Sequence, residues 1–377
     1  EKAGSMPMNV FVIQAPYQIL NAIEAVHHYN FRRNTLVIPL NGLFPRQGFE
    51  IMIDREQWDR VQFLSFYSRL KNFDFGKNRP RNVYERILEL FLTFDQSVKK
   101  MRMETLARSV GRVENLILGS YQDSYDLHMR HLANMISHEN LYLIDVGTDT
   151  LKINRQRNEE IRLRQTSGKA ETRDIDSGGM LLRAKRALKR NLVEWNAEGV
   201  DRLTYFTCYE LIATGQDRVE RNSYAHARSL VSKADVDGNV WFIAQTLVDE
   251  QYLSLDTYLE YLRKVKEYFS GRKIVYVPHP RESERYVSVV EKTLGFEIRR
   301  FDGPIEYEVA YRGRRPQCIA SFFSSALENC AAISGDILEI RSFQINENDL
   351  LKYKDVVGEV YSYFSSSMDN NIEVVRL

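Results

Sequence analysis

The sequence predicts an α/β protein made of two units, because short apolar strands alternate with longer helical patterns along most of its 377 residues. The strand segments are apolar along their whole length, which is typical of parallel strands covered on both faces. A single hydrophobic core stops growing at roughly 250–300 residues, so two domains are expected in a chain of this length.

Elements of the first unit follow one another over residues 8–220. A helix is predicted over 16–29 because Ile19, Ile23 and Val26 share one face. The other expected elements are strands at 10–13, 35–38, 61–64, 115–118 and 141–144, and helices at 83–110 and 127–136. Residues 152–201 are polar and poorly periodic, which indicates an irregular insert whose one helical pattern is a basic segment at 181–192.

The alternation resumes in a second unit over 238–345, after a boundary expected between residues 201 and 240. Its sequence patterns predict strands at 239–243, 273–277, 317–321 and 337–340, and helices at 255–269, 286–294 and from 326 onward.

Composition excludes several classes of protein. Lys and Arg number 52 against 51 Asp and Glu, so a globally basic nucleic-acid binder is not expected. The three cysteines include no C-x-x-C pair, which supports neither a zinc ribbon nor a disulfide framework and favours a reducing compartment. No apolar run approaches the 18–20 residues or so that a transmembrane helix needs.

Residues directly after strands are the candidates for chemistry, because ligands of open α/β sheets bind at the carboxyl ends of the strands. Asp145 follows the strand at 141–144, and Gly147 lets the chain turn sharply after it. A carboxylate there serves as a general base, and a residue that caps the next turn is the alternative.

A histidine stands between two prolines after the strand at 273–277. Pro278 and Pro280 fix the backbone around His279, which suits a preorganised acid or a phosphate ligand. A histidine in an ordinary proline-rich turn is the alternative.

Serines follow the strand at 317–321. Ser325 and Glu328 fit the capping box S-x-x-E at a helix start. A helix N-terminus with adjacent hydroxyls also binds anions, so Ser325 is expected to cap the helix while Ser324 faces a phosphate.

In this order, the Asp-x-Gly, His-Pro and Ser-Ser motifs resemble those of bacterial sialyltransferases. They are most similar to the lipooligosaccharide sialyltransferase family, glycosyltransferase family 52, and more distantly to bacterial polysialyltransferases. The resemblance runs from about residue 8 to about 340, with smaller similarities at 15–20, 244–247 and 304–306. Val146 stands where the family commonly has a second acidic residue, while the leading one is retained as Asp145.

The resemblance implies a GT-B fold, in which two Rossmann-like domains face each other across a cleft and the tail at 346–377 packs back on the first. It implies an inverting transfer of sialic acid, or a related nonulosonate, from a CMP-sugar to a hydroxyl of a surface glycan such as lipooligosaccharide or capsule. Asp145 would be the catalytic base, and His279 would donate a proton or hydrogen bond to the departing phosphate. The resemblance implies a donor side of Ser324, Ser325, Glu306, Pro280, Gln245 and Thr246, and an acceptor side of Gln18, Ser120 and Gly147.

No metal or other cofactor is expected. The D-x-D sequence Asp174-Ile175-Asp176 lies in the polar insert without a strong strand before it, and is interpreted as a solvated loop. The expected partners are a CMP-sugar donor and a glycan or glycolipid acceptor, without nucleic acid. The protein is expected in the cytoplasm, with peripheral contact to the inner membrane through the basic segment at 181–192. A solvated helix face and a helix that binds nucleic acid are the alternatives for that segment.

Two further functions remain open from the sequence. One is transfer of another sugar, such as Kdo from CMP-Kdo or a hexose. The other is a non-catalytic glycan- or membrane-binding module.

Overall fold

The computed structural model describes residues 8–40, 44–65, 83–121, 127–147, 149–166, 195–196, 198–366 and 371–377. The chain divides into two compact units, Glu1–Asn222 and Ser223–Leu377. Each unit is built on a parallel sheet of its own with helices between the strands, which confirms the predicted α/β class with two Rossmann-like units.

The first unit contains a seven-stranded sheet in the order β3-β2-β1-β4-β5-β6-β7, and all its neighbouring strands are parallel. Its strands are β1 (Asn9–Val12), β2 (Asn34–Leu40), β3 (Arg60–Ser65), β4 (Val113–Leu118), β5 (His138–Ile144), β6 (Thr204–Thr207) and β7 (Arg218–Arg221). Its helices are α1 (Gln18–His28), α2 (Arg46–Glu50), α3 (Val83–Val110), α4 (Leu127–Met135) and α5 (Asp149–Thr166).

Strand β1 shows why the strand segments of this unit are apolar throughout. Val10 and Val12 belong to a buried cluster that also contains residues of α3 and α4. Between them, Phe11 packs edge-on against Trp58, with ring centroids 5.0 Å apart. Because both faces are covered, alternation with polar residues would bury unpaired polar groups.

The second unit contains a six-stranded parallel sheet in the order β11-β10-β9-β13-β14-β15, and β12 pairs with β8 separately. Its strands are β8 (Asp235–Val236), β9 (Val240–Ile243), β10 (Ile274–Val277), β11 (Glu297–Ile298), β12 (Arg314–Arg315), β13 (Cys318–Ser321), β14 (Glu339–Gln344) and β15 (Ile372–Arg376). Its helices are α6 (Ala225–Lys233), α7 (Leu255–Tyr268), α8 (Glu284–Leu294), α9 (Ile305–Tyr311), α10 (Ser325–Ser334) and α11 (Lys354–Ser366).

Local chemistry sets the ends of the helices that follow β9 and β10. The Ser254 hydroxyl accepts a hydrogen bond from the Thr257 N–H at 3.1 Å and caps the start of α7. Helix α8 ends at Gly295, whose φ of +66° lies in the left-handed region that glycine adopts without strain. Aromatic side chains fill the core between these elements, and Phe242, Tyr258 and Phe322 are almost fully buried there.

Strand order reverses at one place in each sheet. Strand β1 lies between β2 and β4, and β9 lies between β10 and β13, so successive connections leave these strands in opposite directions. In open parallel sheets the crevice outside the carboxyl ends of such strands is where ligands bind. The fold thus points to the loops after β1 and β4, and to those after β9 and β13.

The expectation of an irregular chain from residue 152 is wrong for 152–166, which belong to helix α5. Polar contacts hold this helix, so its sequence lacks an apolar period. The buried Arg157 guanidinium donates to both carboxylate oxygens of Asp217, at 2.5 and 2.7 Å. Asn154 donates to the backbone oxygen of Ile212 at 3.0 Å.

The tail also differs from expectation, because it completes the second unit. Strand β15 pairs in parallel with β14, with Ile340 opposite Ile372, so residues 337–340 do not end the core. The buried Tyr361 hydroxyl of α11 donates to the Phe343 oxygen at 2.9 Å and accepts from the Ile345 N–H at 3.1 Å. These contacts fix the tail against its own unit.

Two sequence predictions lie outside the described residues: the Asp174–Asp176 motif and the basic segment at 181–192. Within the described part of the chain, no three His, Cys, Asp or Glu side chains converge as a metal site would require. Among the helices that the structure describes, none is both long and apolar enough to cross a membrane.

Candidate active site

A buried glutamine joins the two loops at the strand reversal of the first unit. The Gln18 Oε1 atom accepts from the backbone N–H groups of Gln14 and Ala15, at 2.9 and 3.1 Å. Its Nε2 donates to the Gly119 oxygen at 2.8 Å. A Cβ on Gly119 would collide with the Gln18 amide, so glycine is required at this approach.

The predicted acceptor-side residues differ in their burial and in their hydrogen bonds within the protein. Gln18 is bonded within the loop framework, while Ser120 is buried directly after Gly119. Gly147 adopts a φ of +73° in the turn after β5, and its oxygen accepts from the Thr150 N–H at 3.0 Å. Their contact with an acceptor stays a prediction.

Asp145 lies at the carboxyl end of β5 and is only 2% exposed. Its Oδ2 atom accepts from the Cys208 N–H at 2.8 Å, directly after β6. Its Oδ1 atom is buried and makes no hydrogen bond to a described residue. A carboxyl group held by one oxygen, with the other unengaged, can take a proton from a substrate hydroxyl.

Burial raises the pKa of Asp145 from 3.8 to about 6. The neighbouring Thr207 and Thr150 hydroxyls and the Cys208 amide and thiol favour the carboxylate and offset part of that rise in pKa. Each hydroxyl already accepts from a backbone N–H, that of Tyr209 at 3.0 Å and that of Val146 at 2.9 Å.

A second glutamine joins the loops at the strand reversal of the second unit. The Gln245 Oε1 atom accepts from the Phe323 N–H at 3.1 Å, linking the loops after β9 and β13. The Ser321 hydroxyl lies 3.4 Å from the same oxygen and donates to the Ile243 oxygen at 2.6 Å. Next to Gln245, the Thr246 hydroxyl donates to Glu250 at 2.8 Å.

His279 is half-buried after β10, and its tautomer is fixed by the loop. The Arg281 N–H donates to its Nδ1 atom at 3.1 Å, so the neutral ring carries its proton on Nε2. Burial is the first cause that lowers the pKa of His279, and the Arg281 charge adds to it, against the opposite effect of Glu250. The neutral form of His279 is therefore favoured, with a hydrogen-bond donor at Nε2. Pro280 is exposed next to it.

Glu282 supports the histidine from below, a role that the sequence did not indicate. Its two carboxylate oxygens accept from the Tyr276 hydroxyl at 2.6 Å and from the His279 N–H at 3.3 Å. The Tyr258 hydroxyl lies 2.9 Å from that of Tyr276 and extends the buried chain. Burial raises the pKa of Glu282 to about 7, with a smaller increase from Asp249, while Tyr276, His279 and Arg300 lower it.

The helix cap is Ser324, one residue before the Ser325 that the sequence predicts. Ser324 is the cap of α10, and its hydroxyl accepts from the Ala326 N–H at 3.3 Å. Ser325 is the first helical residue and is exposed. The capping box is wrong, because Glu328 accepts from the Tyr363 hydroxyl at 2.8 Å instead of reaching back to the cap. The exposed Ser325 is thus the more open hydroxyl at the helix start.

Glu306 is buried near the start of α9. It accepts from the Asn329 side chain of α10 at 2.7 Å, and burial raises its pKa, against the opposite effect of Asn329. This contact ties two helices of the second unit together. The predicted contact of Glu306 with a cytidine or its ribose stays a prediction.

A family model described as alpha-2,8-polysialyltransferase (POLYST) matches residues 9–339. The chain belongs to this family. The matched range includes all of the candidate residues above, and membership supports glycosyl transfer, specifically sialyl transfer, as the activity. The resemblance to bacterial polysialyltransferases is thereby confirmed, whereas the closer resemblance to glycosyltransferase family 52 is not.

Several solved structures are similar to the chain at low identity. An α/β-galactoside α-2,3-sialyltransferase from Photobacterium phosphoreum is 10% identical, with a TM-score of 0.47 over 97% of this chain and 98% of that one. A heptosyltransferase from E. coli is 12% identical, with a TM-score of 0.43 over 98% and 93%. A UDP-GlcNAc 2-epimerase from Methanocaldococcus jannaschii is 9% identical, with a TM-score of 0.46 over 96% and 94%. Because transferases and an epimerase match alike, these similarities distinguish no activity. Among curated proteins, none matches the chain.

Proposed function

We propose that the protein is an inverting sialyltransferase that moves a nonulosonate from a CMP-sugar to a hydroxyl of a bacterial surface glycan. The observation that carries this proposal is Asp145, a buried carboxyl at a strand end with one oxygen unengaged, in a chain of the polysialyltransferase family. A pKa of about 6 suits a base that must be ionised near neutral pH and still bind a proton.

The reaction is one displacement at the anomeric carbon of the donor. The acceptor oxygen forms a bond to that carbon while the bond to the phosphate oxygen breaks, which inverts the configuration. The acceptor proton passes to Asp145, and CMP leaves with the electron pair of the broken bond. Positive charge on the sugar and negative charge on the phosphate both increase in the transition state, so charge stabilisation contributes strongly.

Groups of the second unit would meet the phosphate charge. The His279 Nε2–H, the Ser325 hydroxyl and the N-terminus of α10 are all donors, and none requires ionisation. Helix α10 begins directly after Ser324, so the positive end of its ten-residue dipole lies beside the serines. We propose on this basis that transfer needs no metal ion.

The acceptor class follows from the family rather than from geometry. The family name describes α-2,8 transfer, so we propose a glycan that ends in a nonulosonate, as in a capsule or lipooligosaccharide. Such acceptors are assembled at the inner membrane, and we propose a cytoplasmic protein that contacts this surface peripherally, through the basic segment at 181–192.

A donor screen tests the proposal. The protein is incubated with CMP-N-acetylneuraminic acid, CMP-Kdo or UDP-hexoses and a sialylated oligosaccharide, with and without EDTA, and nucleotide release is followed with product analysis. We expect transfer from CMP-N-acetylneuraminic acid alone, and the same rate in EDTA. Transfer from CMP-Kdo or a UDP-hexose would overturn the donor, and loss in EDTA restored by Mg²⁺ or Mn²⁺ would overturn metal independence.

A further inference from the structure

A row of aromatic rings extends from the helix start that carries the serines. The ring centroids of Phe323 and Tyr252 are 5.8 Å apart, and those of Tyr252 and Tyr353 are 5.5 Å apart. Tyr353 is 57% exposed, so the far end of the row is open to solvent. We call Phe323, Tyr252 and Tyr353 the ring row. It lies within the second unit, and Phe323 directly precedes the cap residue Ser324.

A lysine ammonium lies over two of these rings. The Lys352 Nζ atom is 5.1 Å from the ring centroid of Tyr252 and 5.0 Å from that of Tyr353. Lys352 is half-buried. In the part of the chain that the structure describes, its ammonium has no carboxylate partner and donates no hydrogen bond, so these donors are available to a ligand.

The backbone that presents the rings is strained. Gln251 and Tyr353 have φ values of 57° and 56°, in the left-handed region that side chains other than glycine rarely adopt. The two loops are held together by a hydrogen bond from the Leu351 N–H to the Tyr252 oxygen at 2.9 Å. Residues held in such backbone conformations cluster at ligand-binding sites, which is consistent with a binding role for the loops that present these rings.

We propose that the ring row and Lys352 form a subsite for an acidic pyranose. The C–H face of the sugar would lie on Tyr252 and Tyr353, and its carboxylate would meet the Lys352 ammonium. The source of the sugar rests on the proposed function. A nonulosonate carries a carboxylate on its anomeric carbon, so the donor sugar and the end of a sialylated acceptor present the same chemistry. The position of Phe323 beside Ser324 makes the subsite continuous with the proposed phosphate contacts.

Binding to the full chain tests the subsite without relying on turnover. The probes are the methyl glycoside of N-acetylneuraminic acid and its neutral methyl ester, titrated by ligand-observed NMR. Lys352→Met should weaken the acid about tenfold, as for one hydrogen bond to a charged group, and leave the ester unchanged. Tyr353→Gly should weaken both probes alike, and glycine accepts the left-handed φ, so the variant should fold.

The matched control is Lys354→Met, which removes a neighbouring exposed charge and should change neither affinity. Unchanged affinities in folded Lys352→Met and Tyr353→Gly variants would overturn the subsite. Equal loss of acid and ester in Lys352→Met, or an equal loss of the acid in Lys354→Met, would overturn the specific contact between carboxylate and ammonium.

Steady-state kinetics separates the two sources. In Lys352→Met, a raised KM for CMP-N-acetylneuraminic acid with unchanged inhibition by CMP identifies the donor sugar as the ligand of the subsite. A raised KM for the sialylated acceptor identifies the acceptor end. If the wild-type protein transfers no sialic acid but still distinguishes the two NMR probes through Lys352, the proposed function fails and the subsite stands. If transfer is intact and the probes are not distinguished, the subsite alone fails.

Discussion

The loop after β5 and the loop after β10 each hold a buried carboxyl group, and the two groups differ in what their oxygens contact. Burial raises the pKa of both, to about 6 for Asp145 and about 7 for Glu282. Asp145 has one unengaged oxygen, whereas both oxygens of Glu282 accept hydrogen bonds from the protein. A raised pKa therefore does not by itself identify a base; a base also needs an oxygen that the protein does not already use, and of these two groups only Asp145 has one.

The largest effect is expected at the unengaged carboxyl. Asp145→Asn keeps the shape and removes the basicity, so transfer should fall about 10²–10⁴-fold, the usual range for loss of acid–base catalysis. CMP affinity should not change, because the proposed phosphate contacts belong to the second unit. Turnover and CMP titration measure this, with Asp149→Asn, an exposed carboxylate in the first turn of α5, as the matched control. Near-normal turnover in Asp145→Asn would place the base elsewhere.

The pH dependence of transfer and of stability tests the same role of Asp145. Transfer should fall as the pH drops through about 6, because the base becomes protonated. The contribution of Asp145 to the free energy of unfolding should instead increase as the pH drops. The raised pKa of Asp145 means that the neutral carboxyl favours folding below about pH 4, and that this contribution is lost as the pH rises to about 6. Asp145→Asn should thus match or exceed the wild-type Tm at pH 8, and a clear loss of Tm there would contradict the buried, partly unpaired charge.

Replacement of His279, whose backbone N–H donates to Glu282, should give the next largest effect. His279→Ala removes the Nε2–H donor, so CMP affinity and transfer rate should both fall, by about tenfold to a hundredfold for one lost hydrogen bond to a charged group. Isothermal titration with CMP and initial-rate measurements follow the two quantities. A loss of rate with full CMP affinity would separate His279 from the phosphate.

Replacement of the Glu282 carboxyl group should have a smaller effect on CMP affinity. Glu282→Gln still accepts from Tyr276, but its amide cannot accept from the His279 N–H as the second oxygen does. We expect a loss of roughly threefold to tenfold in CMP affinity, within the range of one ordinary hydrogen bond. Glu282→Ala also leaves the Tyr276 hydroxyl without its acceptor, so it should lose more CMP affinity. A smaller loss in Glu282→Gln than in Glu282→Ala would show that the side chain acts by positioning and not by its charge.

A pH series of unfolding distinguishes this role from a base. Because the raised pKa of Glu282 favours the neutral carboxyl in the folded state, its contribution to stability is lost as the pH rises from about 4.5 to about 7. The difference in unfolding free energy between Glu282→Gln and wild type should therefore shift in favour of the variant over this range. A difference that is constant with pH would mean that Glu282 titrates normally.

Sequence patterns predicted the strand ends well, because the residue after a strand is a local feature. Asp145 and His279 are found this way. Glu282 could not be, since its role depends on Tyr276 and Tyr258, which reach it only in the folded sheet. Helix α5 was missed for a related reason. Its anchor is an ion pair between Arg157 and Asp217, sixty residues apart, and periodicity does not report such pairs.

The serines show a finer limit of sequence patterns. Two adjacent serines before an apolar helix allow either one to be the cap, and only the backbone distinguishes them. Ser324 has an extended conformation, with φ −72° and ψ 134°, as cap residues do, while Ser325 is helical. The cap thus lies one residue earlier than the sequence predicted, and the phosphate contact of either hydroxyl stays a prediction.

The smallest effects come from separating those hydroxyls. Ser324→Ala removes the cap and should lower the unfolding free energy by about 1 kcal/mol, with little change in CMP affinity. Ser325→Ala removes an exposed hydroxyl without loss of a cap, so Tm should hold while CMP affinity falls about threefold to tenfold, the range for an ordinary hydrogen bond at a solvated site. Thermal melts and CMP titration of the two single variants decide between the serines. If the affinity loss instead follows Ser324→Ala, the cap hydroxyl also holds the phosphate through its own proton, and the helix start binds its anion through the residue that the sequence first suggested.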